Sequence, residues 1–215
     1  MASPRTSPLT FRLLTLLAML LIGGAYVSPI WWVALKAPNY PPQTFPDGVR
    51  IHFHVNGVFN GCQARPENSG VDEDEPLDCV HEMNVINHFI GMEPIAEGAK
   101  LEIAAAPYLF SLVGVMLLAF LFYSGPFWWV LPLGGIAIPI GFLIDYSAWL
   151  WWFGHSLKPW AAFSVKPFMP TVFGEGKVAQ FSTFSYPHYG YGLLVAASLL
   201  LLLALLLRRK QLRGK

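Results

Sequence analysis

Crossing the hydrocarbon core of a bilayer takes about 20 residues of mostly apolar helix. Four runs in this 215-residue chain are of that kind. They are "FRLLTLLAMLLIGGAYVSPIWWVALK" (Phe11 to Lys36), "PYLFSLVGVMLLAFLFYSG" (Pro107 to Gly125), "FWWVLPLGGIAIPIGFLIDYSAWLWW" (Phe127 to Trp152) and "YGYGLLVAASLLLLLALLL" (Tyr189 to Leu207). With 54% hydrophobic and only 13% charged residues, a soluble domain of this length could not hide so much apolar surface. The fold expected is therefore membrane α-helical, with four transmembrane helices.

Basic residues near helix ends set orientation. Arg5 and Arg12 precede or open the first run, and Arg208, Arg209, Lys210, Arg213 and Lys215 close the chain. Four crossings put both termini on one side, so the two basic ends agree and are expected in the cytoplasm of a bacterial inner membrane. A cleaved signal peptide is the other reading of the first run. The absence of a small-residue cleavage site and the continuation into "SPIWWVALK" favour an uncleaved anchor.

Segmented this way, residues 1–36 are an anchor, 37–106 an extracytoplasmic α+β domain, and 107–152 a transmembrane hairpin. Residues 153–188 are a second extracytoplasmic segment, and 189–215 are the last helix with a basic tail. Eleven of the thirteen acidic residues fall between Asp47 and Glu102. An acidic surface repels nucleic acid, so the lipid bilayer and another protein are the expected partners.

Within 37–106, "VRIHFHVNGVF" alternates apolar and polar residues with the period of a strand and carries an Asn-Gly hairpin signal. His52 and His54 should then share its outward face. From Leu77 the period lengthens to that of a helix with one buried side. Asp78 is its N-cap candidate, Glu82 lies in its first turn, and Gly91 and Pro94 end it. On this helix His81, Asn84, His88 and Met92 make one stripe, and Cys79 and Met83 a second. "GAKLEIAAAPY" reads as a return strand and "KVAQFSTFSY" as another, within an otherwise irregular second segment.

Cys62 and Cys79 flank a polar stretch that cannot bury itself. A disulfide is the first expectation in an oxidising compartment, and metal ligation by one or both thiolates the second. Soft and borderline ligands also gather outside the membrane. Thioether and thiolate favour Cu(I), and imidazole accepts copper in either oxidation state, so copper is the metal expected. His52 and His54, His81, the His88/Met92 pair and His155 are the candidate ligands. The plainer reading is a bridged Cys pair, a core Met83 and solvated histidines. Neither the zinc-protease nor the haem-attachment motif occurs. Asp145, late in the third run, is costly in lipid unless it is interfacial or paired. A hydrogen bond to Tyr146 or Ser147 is the first expectation and a role in holding His155 or an outer-loop Arg the second, and no basic or acidic companion in another helix is foreseen. Since no nucleophile set, phosphate loop or flavin fingerprint appears, a non-enzymatic role follows.

Two blocks, "VRIHFHVNGVFNG...HEMNVINHFIGMEPI" and "GHSLKPWAAFSVKPFMPTVFGEGKVAQFSTFSYP", resemble a group of small multi-pass membrane proteins with an "INHYIGM"-type helix. That group is found near bacterial nitrous-oxide reductase accessory genes. The likeness spans Asn39 to Pro187 and implies an accessory role in copper supply, or in the redox pathway serving a copper enzyme. It would involve His88, Met92 and His155, and a membrane or periplasmic redox protein as partner. The chain departs from the commoner form by carrying Cys62 and Cys79, which implies a staple rather than an essential ligand pair. The alternative role is a structural or assembly subunit of a respiratory-chain complex that binds no metal.

Overall fold

The computed structural model describes residues 8–63, 77–178 and 180–213. Most of the acidic stretch between the cysteines, together with Arg5 and Lys215, lies outside the described residues. Among those described, the order is α1 (Pro8–Tyr26), β1 (Trp31–Lys36), β2 (Val49–His54), β3 (Gly57–Asn60) and α2 (Cys79–Phe89). Then follow α3 (Lys100–Phe122), α4 (Leu133–His155), β4 (Gly174–Val178), β5 (Phe181–Pro187) and α5 (Tyr189–Arg213). Short 3-10 turns precede α3 and α4.

Helices α1, α3, α4 and α5 are long and apolar enough to cross a membrane. At 1.5 Å per residue they extend roughly 28–38 Å, which matches a hydrocarbon core. Leucines such as Leu13, Leu20, Leu112 and Leu206 stay exposed along them, as lipid-facing side chains do. Small residues let α1 and α5 approach closely: Ala18, Ala25, Ala197 and Ala204 are fully buried between helices. Gly135 on α4 does the same, since a Cβ there would stand 2.6 Å from a Leu201 methyl.

At the terminal end of this bundle the chain's two ends meet the α3–α4 connection. Arg208 is buried there, so it is no free tail charge. Its guanidinium donates to the Phe120 and Tyr123 carbonyls at the end of α3. The rings of Phe11, Phe120 and Trp128 surround it at 5.0, 4.8 and 5.2 Å.

At the opposite end sits an antiparallel sheet of order β3-β2-β1-β5-β4. Three sequence expectations change here. "WWVALK" does not continue the first span, because α1 stops at Tyr26 and Trp31–Lys36 becomes the central strand. Pro29 supplies no N–H and disfavours helix in Ser28, and the aromatic and β-branched residues that follow suit a strand. "GAKLEIAAAPY" is no return strand either: α3 begins at Lys100 and passes through Pro107. Leu101 and Ile103 alternate over too few residues to fix a period, and the Ala run favours helix. The second segment contributes a hairpin rather than one strand, so both outer segments share one sheet.

Alternation sorts the sheet's side chains. Trp31, Val33, Leu35, Val49, Ile51, Thr183 and Ser185 face inward. Trp32, Arg50, His52, His54, Phe184 and Tyr186 face outward, as the registers Trp32↔His52 and Trp32↔Tyr186 require. Against the inner face α2 packs Cys79, Met83 and Ile86 over Leu35, Val49 and Ile51. Trp31 joins sheet to bundle. Its indole N–H donates to Ser185 Oγ at 2.8 Å, and Phe142, Tyr146 and Tyr191 ring it at 5.4–5.9 Å.

The Cys62–Cys79 disulfide forms, with Cα atoms 5.9 Å apart. Asn60 reinforces it: its amide donates to Leu77 O at 2.6 Å, and its carbonyl accepts from Cys62 N and Cys79 N. Asp78 caps α2 as expected, accepting from Val80 N and His81 N. Together these fix the start of α2 beside β3.

Candidate functional site

The side chains singled out in the sequence fall into three places. On α2, His81 and His88 are exposed and Met83 is core. His88 stacks on Trp160 with ring centroids 6.4 Å apart. Met92 does not share its stripe. The helix ends at Phe89, Gly91 adopts φ +79° and turns the chain, and Met92 is buried. A Cβ on Gly91 would lie 2.8 Å from Lys158 O, because the second outer segment docks there through Lys158 N→Gly91 O at 2.8 Å. His155 ends α4, exposed, with Nδ1 2.8 Å from Trp151 O and its ring stacked on that indole.

The outward face of the sheet holds the second group. His52 and His54 emerge there from β2, and His188 joins them from the residue after β5. The His52 and His188 rings stand 5.0 Å apart, and His54 packs on Phe59 at 4.7 Å. Burial lowers the His52 pKa to about 4, helped by the charges of Arg50, His188 and His54. Burial lowers His54 as well, and lowers His188 with help from Arg50 and His54. These imidazoles are neutral at pH 7, the form in which a ring nitrogen can bind a metal. His52 Nε2 is buried with no hydrogen-bond partner among the described residues. His188 Nδ1 accepts from Tyr189 N at 2.9 Å. Arg50 lies over the Trp32 ring at 4.2 Å, and Trp32 packs on Tyr186 at 5.3 Å. Among the described residues no three His, Cys, Asp or Glu side chains converge closely enough to cage a metal ion. His52 and His188 form a pair of imidazoles on this face.

Asp145 belongs to the third place. Its expected partners are engaged elsewhere, Tyr146 OH with Ser185 Oγ at 3.2 Å and Ser147 Oγ with Leu143 O at 2.6 Å. It does have an acidic companion in another helix, Glu102 in the first turn of α3, within electrostatic reach. Trp149, one turn beyond Asp145, donates its indole N–H to Glu102 Oε1 at 3.3 Å. Glu102 escapes the sequence reading because a return strand would place it outside the bundle. His188 counts in the sequence among the soft-metal donors outside the membrane but not among the preferred ligands, because its neighbour His52 comes from a strand more than a hundred residues away. The alternation "FSTFSYPH" gives its face but not its company.

No known protein family matches the chain, and no curated protein or solved structure matches it.

Proposed function

We propose that this chain is a non-enzymatic accessory protein of the bacterial cytoplasmic membrane that handles copper at its periplasmic face. The basic residues at both chain ends favour cytoplasmic termini, which puts the sheet in the periplasm. The observation that carries the reading is the pairing of His52 and His188. Two neutral imidazoles have ring centroids 5.0 Å apart on the outward face, one with a nitrogen unpartnered among the described residues. Imidazole is a copper ligand in either oxidation state, and a site of few ligands suits capture and release better than permanent storage. The ligands therefore move from α2, where His88 and Met92 diverge, to the sheet.

Cu(I) titration of the purified full-length protein against a chromophoric chelator tests this. About one copper per chain should bind, and His52→Ala/His188→Ala should lose it while His88→Ala/Met92→Ala keeps it. Equal binding by parent and His52→Ala/His188→Ala would refute the assignment. A second reading, a structural subunit that binds no metal, draws on the exposed Trp160, Phe163 and Phe173 as a partner surface. Copper-free protein that co-purifies with a fixed partner would favour it.

A further inference from the structure

Between the inner face of the sheet, α2 and the sheet-side ends of α3 and α4 lies a cavity of about 420 Å³. That is within the range of sites that enclose a small organic ligand. Its walls are mostly apolar, with Ile51, Phe53, Ile86, Ala106, Phe110 and Phe142 contributing from four elements. His54, Asn87, Thr171 and Thr183 add polar groups elsewhere in the lining, but its two carboxylates lie together. Glu102 and Asp145 face it from adjacent helices, with Trp149 bonded to one Glu102 oxygen and the other oxygen buried and, among the described residues, unpartnered. A carboxylate oxygen left without a donor in so apolar a place is costly, and a ligand donor would remove that cost.

The opening is placed for a tail. Leu109 and Gly141 line the cavity and are exposed at the outer surface of the bundle. They lie roughly 10 Å below Glu102 along α3 and 6 Å below Asp145 along α4, at 1.5 Å per residue. The mouth therefore opens sideways between α3 and α4 in the apolar zone, and the carboxylates sit nearer the sheet. An amphiphile entering from lipid would bring its head to the carboxylates and leave its tail in the bilayer.

Charge selects the head. Among the described residues that line the cavity none is Lys or Arg, the groups that bind phosphate. Two carboxylates would repel a phospholipid or a fatty acid. A hydroxyl is the donor they suit.

We propose that this cavity binds a phosphate-free amphiphile, a quinol or long-chain isoprenoid alcohol, whose hydroxyl head donates to Glu102 and whose tail leaves between α3 and α4. The site is independent of copper, which concerns the other face of the sheet.

Calorimetric titration of the full-length protein in micelles of lauryldimethylamine oxide, a detergent without hydroxyls, tests it. The probes are decylubiquinol held reduced, decylubiquinone, geranylgeraniol, oleate and dioctanoyl phosphatidylglycerol. Binding of decylubiquinol, geranylgeraniol or both is expected, and which of them binds separates the two sources. Decylubiquinone lacks the hydroxyl donors and should bind at least about tenfold more weakly than decylubiquinol if that is the source. Glu102→Gln should weaken the hydroxyl-headed probe about tenfold, the difference between a charge-assisted and a neutral hydrogen bond. Gly141→Leu should block it, because a side chain there enters open space at the mouth. An unchanged unfolding midpoint would show that this variant is folded. The proposal is overturned if neither hydroxyl probe binds, if oleate or phosphatidylglycerol binds as tightly, or if folded Gly141→Leu binds like the parent.

Discussion

Arg208→Met tests how the bundle is closed at its terminal end. The α3 helix leaves its last carbonyls without intrahelical partners, and Arg208 from α5 supplies donors to two of them, on Phe120 and Tyr123. Its guanidinium also lies within 5.2 Å of three ring centroids, on Phe11, Phe120 and Trp128. One side chain thus links α5 to α1, α3 and the start of α4. Met nearly preserves the buried volume but strands both carbonyls, at about 1–3 kcal/mol each, and removes cation–π contacts worth about 0.5–2 kcal/mol. Removing the guanidinium also removes its own desolvation cost, so the net loss should be roughly 2–5 kcal/mol. Arg208→Lys keeps the charge but cannot fork to two carbonyls, and should lose about half as much. Equilibrium unfolding in mixed micelles with increasing dodecyl sulfate, followed by tryptophan fluorescence, measures both variants. Arg209→Met, at an exposed position, serves as the control. If Arg208→Met unfolds within about 0.5 kcal/mol of the parent, the spread expected for surface changes, the cap contributes nothing and the reasoning fails.

Reduction of the Cys62–Cys79 bond releases a closed stretch with sequence separation 17, for which loop entropy implies a loss of about 3 kcal/mol. Thermal unfolding with and without reductant, or of Cys62→Ala/Cys79→Ala, should show it, and an unchanged midpoint would assign the hold on α2 to Asn60 and the apolar core. The sheet histidines make stability depend on pH. Their folded pKa values lie below the ordinary imidazole value, so between about pH 6.5 and, for His52, about 4 the unfolded chain binds more protons. Stability is complete above that window and falls as pH drops through it. Unfolding at pH 7.5 and 5.0 should show the decline, and His52→Gln/His188→Gln should flatten it.

Local signals in the sequence were enough for features decided by neighbouring residues. The Asp78 cap, the helix period after Leu77, the Gly91 stop and the His52/His54 alternation depend on contacts a few residues apart, and each has its expected form. What failed was decided only in part at long range. "WWVALK" is apolar enough to pass for a helix end, and only its pairing with β5, about 150 residues later, makes it the middle strand. A central strand packed on both edges and one face loses the clean alternation that marks an edge strand. Glu102 was lost for a local reason: Leu101 and Ile103 alternate too briefly to fix a strand, and the helix that forms sets Glu102 against Trp149 of α4. The His88/Met92 pairing failed at one backbone torsion, since a positive φ at Gly91 takes Met92 off the stripe that helical spacing draws.

The sheet also explains why metal-binding and amphiphile-binding chemistry could coexist in so small a chain. Side chains alternate faces along a strand, so β1, β2 and β5 direct Val33, Leu35, Ile51, Phe53 and Thr183 to the chamber and Trp32, Arg50, His52 and Tyr186 outward. Ile51 and Phe53 line the cavity while Arg50 and His52 stand on the other side of the same backbone. The connections hold these faces to different helices. Residues 27–30 join α1 to β1, and His188 alone joins β5 to α5. The outward imidazoles are therefore tied to the α1–α5 pair. The carboxylates belong to α3 and α4, and α4 meets the sheet where Phe142 and Tyr146 pack on Trp31 and Tyr146 bonds to Ser185. A ligand in the chamber would press on α3 and α4, whereas a cation on the histidines would press on the start of α5. Substitutions on the two faces of these strands should thus separate the two effects.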